Sequence, residues 1–247
     1  MRKSLSLFPI SLALALSACG GAADTAETGS SESIAEVAAP DGQTWSTTVS
    51  QTEAGGFVMG NPDAPLKLVE YMSITCSHCA TFGEEAFDSI RDDYVNSGRV
   101  SFEVRNFVRD PVDLSAAILS RCGGGGPYFA LTKQALNAQN EFLTTAQAKQ
   151  ADGSLENALR LPPESRFVQL SEDLGLTAFF QQRGIAADQA KACLADVAAA
   201  EKLVDDTQKA SEEQNITGTP TFLLNGQKMD ASNWTMVEAQ LKEAGAR

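Results

Sequence analysis

The run Leu66-Lys67-Leu68-Val69-Glu70-Tyr71-Met72 alternates little between apolar and polar residues. It leads through Ser73-Ile74-Thr75 into Cys76-Ser77-His78-Cys79, after which a helical pattern runs from Ala80 to about Val95. A strand with no polar face has to be covered on both sides, so it belongs in the middle of a sheet packed by helices. Asn96-Ser97-Gly98 ends the helix, and Val100 to Val108 alternates as a second strand. Upstream, Thr44 to Thr52 is β-prone, and Gly55 to Pro62 reads as a short strand running into a turn. Residues 111–214 carry almost no strand signal. They give helices at about 112–122, 127–142, 153–160, 163–174, 176–182 and 187–214. Residues 219–224 are strand-like, Asn225-Gly226 is a hairpin turn, Gln227 to Asp230 returns, and Ser232 caps a last helix to about Ala244. A β-α-β start and a β-β-α finish with helices between them predict one mixed central sheet and an all-helical subdomain.

The N-terminal quarter is physically different. Of the 247 residues, 43% are apolar, and 19 cations against 32 anions leave a net charge of −13. The chain has no basic cluster, which argues against nucleic-acid binding, because phosphate contacts need cations. Arg2 and Lys3 open the chain and the next cation is Lys67, with only acids between them. After Arg2-Lys3 comes an apolar run from Leu5 to Leu16, too short for a membrane span, which takes about 20 residues. This is the pattern of a secretory signal peptide over residues 1–18. Leu16-Ser17-Ala18-Cys19 resembles the bacterial lipobox, which implies that Cys19 is lipidated and becomes the mature N-terminus. Residues 19–44 are rich in Ala, Gly, Ser, Thr and Glu, with Ile34 and Val37 as the only larger apolar residues. They read as a flexible acidic tether holding a folded domain, residues 45–247, off a membrane. No later stretch is apolar enough to span a bilayer, so membrane attachment is expected through lipid alone.

The chemistry lies in Cys76-Ser77-His78-Cys79. A thiol at a helix N-terminus faces unpaired amide N–H groups and the positive end of the helix dipole, which stabilise its thiolate. The C-x-x-C spacing lets the second sulfur reach the first. His78 sits between them, where a hydrogen bond or positive charge would lower the Cys76 pKa further. Whatever stabilises the reduced pair makes the disulfide a better oxidant. A structural disulfide is one alternative. Zinc is another, but it takes three or four protein ligands, and beyond the motif the chain has no other histidine and only Cys122 and Cys193 within the domain. No metal or cofactor is expected.

Gly60-Asn61-Pro62-Asp63-Ala64-Pro65, then Val69-Glu70-Tyr71, then Cys76-Ser77-His78-Cys79-Ala80, resembles the DsbA-like branch of the thioredoxin superfamily. The resemblance implies a thioredoxin-like fold with a helical insertion at about 111–214. It also implies a dithiol oxidase acting on reduced or unfolded exported proteins in the periplasm or cell envelope, reoxidised by a DsbB-type membrane partner. The family commonly has Pro-His between the cysteines, whereas here the first of those residues is Ser77. Gly218-Thr219-Pro220-Thr221-Phe222 matches the family's cis-proline signature, placing Thr219 and Pro220 beside Cys76. Glu70 matches the buried acid that assists proton transfer at Cys79. Glu84 and Glu85 read as a solvated helix face. Two unassigned cysteines in an exported protein pair readily, and some relatives carry an extra disulfide in the insertion, so Cys122 and Cys193 are candidates for one, with free buried thiols as the alternative. Within redox chemistry the other reading is a disulfide isomerase or reductase. Outside it, the other reading is a lipid-tethered binding or chaperone module.

Overall fold

The structure is a computed structural model and describes residues 32–247. The expected signal peptide, Cys19 and the first part of the expected tether lie outside the described residues.

Six strands form one mixed sheet: β1 (Val49–Gln51), β2 (Phe57–Met59), β3 (Leu66–Met72), β4 (Val100–Asn106), β5 (Thr221–Leu224) and β6 (Gln227–Lys228). Their order is β1-β2-β4-β3-β5-β6. The central pair β3 and β4 is parallel, with Leu68 opposite Phe102 and Met72 opposite Asn106, and every other pairing is antiparallel. The weak alternation of β3 has its cause here. Leu68 and Met72 enter the main core, while Val69 and Tyr71 pack on the other face with Ala210, Ile216 and Leu223.

Helix α1 (Ser77–Ser89) crosses from β3 to β4 and continues as a π-helical segment, Ile90–Val95. The turn that follows it closes at Gly98, whose φ of 72° suits glycine. A Cβ there would also collide with the Val37 carbonyl. Between β4 and β5 come α2 (Pro111–Arg121), α3 (Gly125–Asn137), α4 (Gln139–Ala151), α5 (Ser154–Leu159), α6 (Pro163–Asp173), α7 (Leu176–Gln181), α8 (Ala187–Ala195) and α9 (Val197–Gln214). The chain closes with α10 (Trp234–Glu243) over the sheet.

Several boundaries differ from the sequence expectation, each for a local reason. The helix expected over 187–214 is two, because the Asp196 side chain accepts from Ala199 N at 3.0 Å and starts α9 afresh. The helix expected to end at 142 breaks at Ala138, and α4 continues to Ala151 without an apolar stripe to announce it. Only Gln139, Phe142 and Ala146 of α4 are buried. The last helix is capped by Asn233, which accepts from Met236 N at 3.1 Å, and not by Ser232.

The largest difference concerns the tether. Composition predicts a flexible chain through residue 44, but the chain lies against the domain from Ile34 onward. Ile34 N donates to Gly245 O at 2.9 Å, Val37 N to Ser97 O at 2.9 Å, and Trp45 Nε1 to Val37 O at 2.6 Å. Arg99 Nε donates to Ile34 O at 2.7 Å. The contacts are mostly through backbone, which composition does not reveal.

Candidate active site

Cys76 is the N-cap of α1, with extended backbone angles (φ −90°, ψ 117°) that turn the chain from strand to helix. Its sulfur therefore sits among the free N–H groups of the first turn. Across from it, the Thr219–Pro220 peptide bond is cis, and Cys76 Sγ lies 3.1 Å from Thr219 O. Cys79, one turn into α1, is fully buried, and the two thiols are free.

The loop before Cys76 is gripped by the helical insertion. Ile74 N donates to Asp113 Oδ1 at 2.8 Å, and Arg109 N donates to Asp113 Oδ2 at 3.0 Å. Asp110 caps α2 by accepting from Asp113 N at 2.8 Å, and its other oxygen accepts from the Thr75 hydroxyl at 2.8 Å. Gln139 Nε2 donates to Ile74 O at 2.8 Å and to Cys76 O at 3.1 Å from a residue only 3% exposed. Sequence reasoning missed all three side chains. Asp110-Pro111 is a readable helix-start signal, but nothing local marks Asp113 or Gln139, whose partners are backbone atoms far away in sequence.

The electrostatics divide the two sulfurs. The Cys76 pKa is lowered to about 5, chiefly because the Cys79 thiol donates to the Cys76 thiolate. Burial opposes this, while Thr219 and the backbone N–H groups of Cys79 and His78 assist. Cys79 is pushed up, first by burial, then because it donates to Cys76, then by the nearby charges of Glu70 and Cys76. Glu70 is 5% exposed in the middle of β3, and burial, with help from the Cys76 charge, raises its pKa to about 8. Asp113 is likewise raised to about 7 by burial, against the hydrogen bonds it accepts.

His78 follows Cys76 by two positions in the first turn of α1. It is exposed, and its backbone N–H helps lower the Cys76 pKa. Glu84 and Glu85 lie on the exposed face of α1. Cys122 and Cys193 form a disulfide that ties the end of α2 to α8 (Cα–Cα 5.9 Å). Among the described residues, no three His, Cys, Asp or Glu side chains are grouped so as to hold a metal ion.

A buried thiol above a helix end, a deep second thiol and a facing cis-proline loop invite comparison with known proteins. The family model described as Thioredoxin matches residues 52–243. The chain belongs to the thioredoxin family. A Rickettsia bellii protein, provisionally named a protein-disulfide oxidoreductase, is 27% identical over 205 residues, covering 83% of this chain and 70% of that one. A similarly named Rickettsia typhi protein is 29% identical, and the match spans 69% of this chain and only 54% of that one. Among solved structures, a protein-disulfide isomerase from Novosphingobium aromaticivorans superposes with a TM-score of 0.67 at 29% identity, over 74% of this chain and 94% of that one. Wolbachia pipientis α-DsbA1 shares the fold, with a TM-score of 0.62 at 22% identity over 79% and 93%. The thioredoxin-family sheet, β1 to β6 with α1 and α10, is thus interrupted by α2–α9 in the DsbA-like manner. The named relatives are a protein-disulfide oxidoreductase and a protein-disulfide isomerase, and the DsbA structure shares the fold. Among the described residues, no helix is long and apolar enough to cross a membrane.

Proposed function

We propose that the protein is a dithiol oxidase of the cell envelope, using the Cys76–Cys79 pair to introduce disulfides into exported proteins. The observation that carries this reading is the split between the sulfurs: Cys76 is held near pKa 5 while Cys79 is pushed well up. At pH 7 the reduced protein then holds a stabilised Cys76 thiolate. A group whose folded pKa is depressed stabilises above its ordinary pKa, and the benefit is lost as pH falls through the folded value. At pH 7 the interval down to about 5 is worth at most about 2.7 kcal/mol. That is roughly 60 mV for a two-electron couple, and screening at the helix end reduces it.

In the proposed reaction a substrate thiolate attacks Cys76 Sγ of the disulfide. The S–S bond breaks, its electron pair goes to Cys79, and the protonated Glu70 carboxyl supplies the proton. A second substrate thiolate attacks the substrate sulfur of the mixed disulfide and expels Cys76 as a thiolate. The substrate loses two electrons and the protein gains them, so turnover needs reoxidation, which we assign to a DsbB-type membrane partner. Thr219 and Pro220 present backbone beside Cys76 for an extended substrate segment. His78 acts through its N–H. A signal peptide and a lipid on Cys19 would place the domain at a membrane surface.

The name of the Novosphingobium relative keeps an isomerase reading open. The reduction potential against glutathione separates these readings. A value near −120 mV supports the oxidase, and one near −270 mV supports a reductase. Faster recovery of scrambled than of reduced substrate would support an isomerase. A Cys76→Ser/Cys79→Ser variant that still aids refolding would instead support a binding or chaperone module.

A further inference from the structure

Two cavities, of about 330 and 240 Å³, meet where α2, α6 and α9 come together. They share Leu114, Arg166, Phe167 and Val204, so they form one groove. Its walls are mostly apolar, with Arg109, Asp110, Arg166, Glu201 and Asp205 as the charged lining, and Val204 is 47% exposed, which is unusual here for a large aliphatic side chain. Two guanidiniums, Arg109 and Arg166, line the larger part. Every other arginine side chain among the described residues donates a hydrogen bond. These two make none, and neither has a carboxylate within 4.0 Å. Arg166 Nε is moreover buried without a partner. Such a donor forfeits hydrogen-bond energy until something fills its place. Glu201 and Asp205 line the smaller cavity together with Arg166, but they do not pair with either arginine.

An apolar groove with two unpaired guanidiniums, in a protein of net charge −13, matches an apolar segment that carries a carboxylate. Its position indicates whose segment that is. Asp110 also lines the larger cavity, and it holds the hydroxyl of Thr75, the residue before Cys76. We infer that this groove is a substrate subsite, which takes an acidic, apolar stretch of the same polypeptide whose thiol reacts at Cys76. The inference rests on the oxidoreductase reading above and adds a specificity to it. Arg109 and Arg166 act as specificity residues that never touch the sulfur.

The test uses the oxidised, full-length protein and a set of dithiol peptides identical except for one flanking position, occupied by Glu, Gln or Lys among apolar neighbours. Dithiothreitol, too small to fill the groove, reports the sulfur centre by itself. The Glu peptide is expected to have a KM about tenfold below the Lys peptide at similar kcat, since one charge-assisted pair is worth about that much. The preference should fade in high salt. Arg109→Ala/Arg166→Ala should bring the three KM values within about twofold, and Arg109→Lys/Arg166→Lys should restore part of the order. If the double alanine variant does not fold, Arg166→Gln alone should lose part of the preference. Equal KM values in the unmodified protein, or a preference that survives both substitutions, overturn the proposal. So does a dimer in sedimentation that Arg166→Gln disperses, since the groove would then belong to a second copy. Binding of thiol-free Glu and Lys peptides by fluorescence anisotropy gives the same comparison without redox chemistry. Failure to oxidise dithiothreitol would therefore count against the oxidoreductase reading and leave the groove separately decided.

Discussion

Glu70 is a carboxyl that the fold keeps at an energetic disadvantage, and Glu70→Gln tests why. Its pKa of about 8 exceeds the ordinary 4.5 mainly because burial disfavours the charged form. For an acid with a raised folded pKa, the unfolded chain ionises first. Below pH 4.5 there is no penalty. Between 4.5 and 8 each pH unit costs about 1.4 kcal/mol of stability, giving about 3 kcal/mol at pH 7 and near 5 at pH 8 and above. A glutamine amide is neutral at every pH, so Glu70→Gln removes the pH-dependent part. The assay is urea unfolding of the oxidised protein and its variant from pH 4 to pH 8, with both cysteines tied up so that only Glu70 differs. The variant is expected to match the parent at pH 4 within about 1 kcal/mol and to exceed it by at most about 3 kcal/mol at pH 7, because the disulfide lacks the Cys76 charge that adds to the burial shift. A gap that does not change with pH would refute the argument, because it would mean that Glu70 is not held protonated. The same variant should slow the release of Cys79, so stability and turnover move in opposite directions.

Other outcomes follow from the same geometry. Gln139→Leu orphans the Ile74 carbonyl, so unfolding free energy should fall by about 1–3 kcal/mol, and the loosened first turn should raise the Cys76 pKa by about one. A fall in stability with an unmoved thiolate titration would show that Gln139 is only structural. Replacing both Cys122 and Cys193 with Ser opens a loop with a sequence separation of 71 and should lower the denaturation midpoint by an equivalent of roughly 4 kcal/mol. An unchanged midpoint would mean that the cross-link restrains nothing. Removing residues through 40 rather than through 31 deletes the hydrogen bonds of Ile34 and Val37, and should cost about 2–4 kcal/mol. Equal stability of the two truncations would restore the longer free tether.

How much could be read from the sequence depended on how local each signal was. The strand, cysteine motif and helix around residues 66–95 were readable because strand burial, the C-x-x-C interval and the helical period act within a few residues of each other. The same holds for Asn225-Gly226, where both residues take positive φ (49° and 80°) to turn β5 into β6. The breaks at Ala138 and Asp196 were not readable, since the helical pattern runs across both. Asp113 and Gln139 escaped for a stronger reason. Ile74 N is 39 positions from Asp113, and Ile74 O is 65 from Gln139, and backbone atoms carry no signature of what they will bond. The docked segment at 34–37 escaped in the same way.

The most direct test is titration of the Cys76 thiolate by ultraviolet absorbance in the reduced protein, with Cys79 and Glu70 intact. A midpoint near pH 5 is expected from the helix end and the donating Cys79 thiol. A midpoint near 8.5, that of a free cysteine, would contradict it.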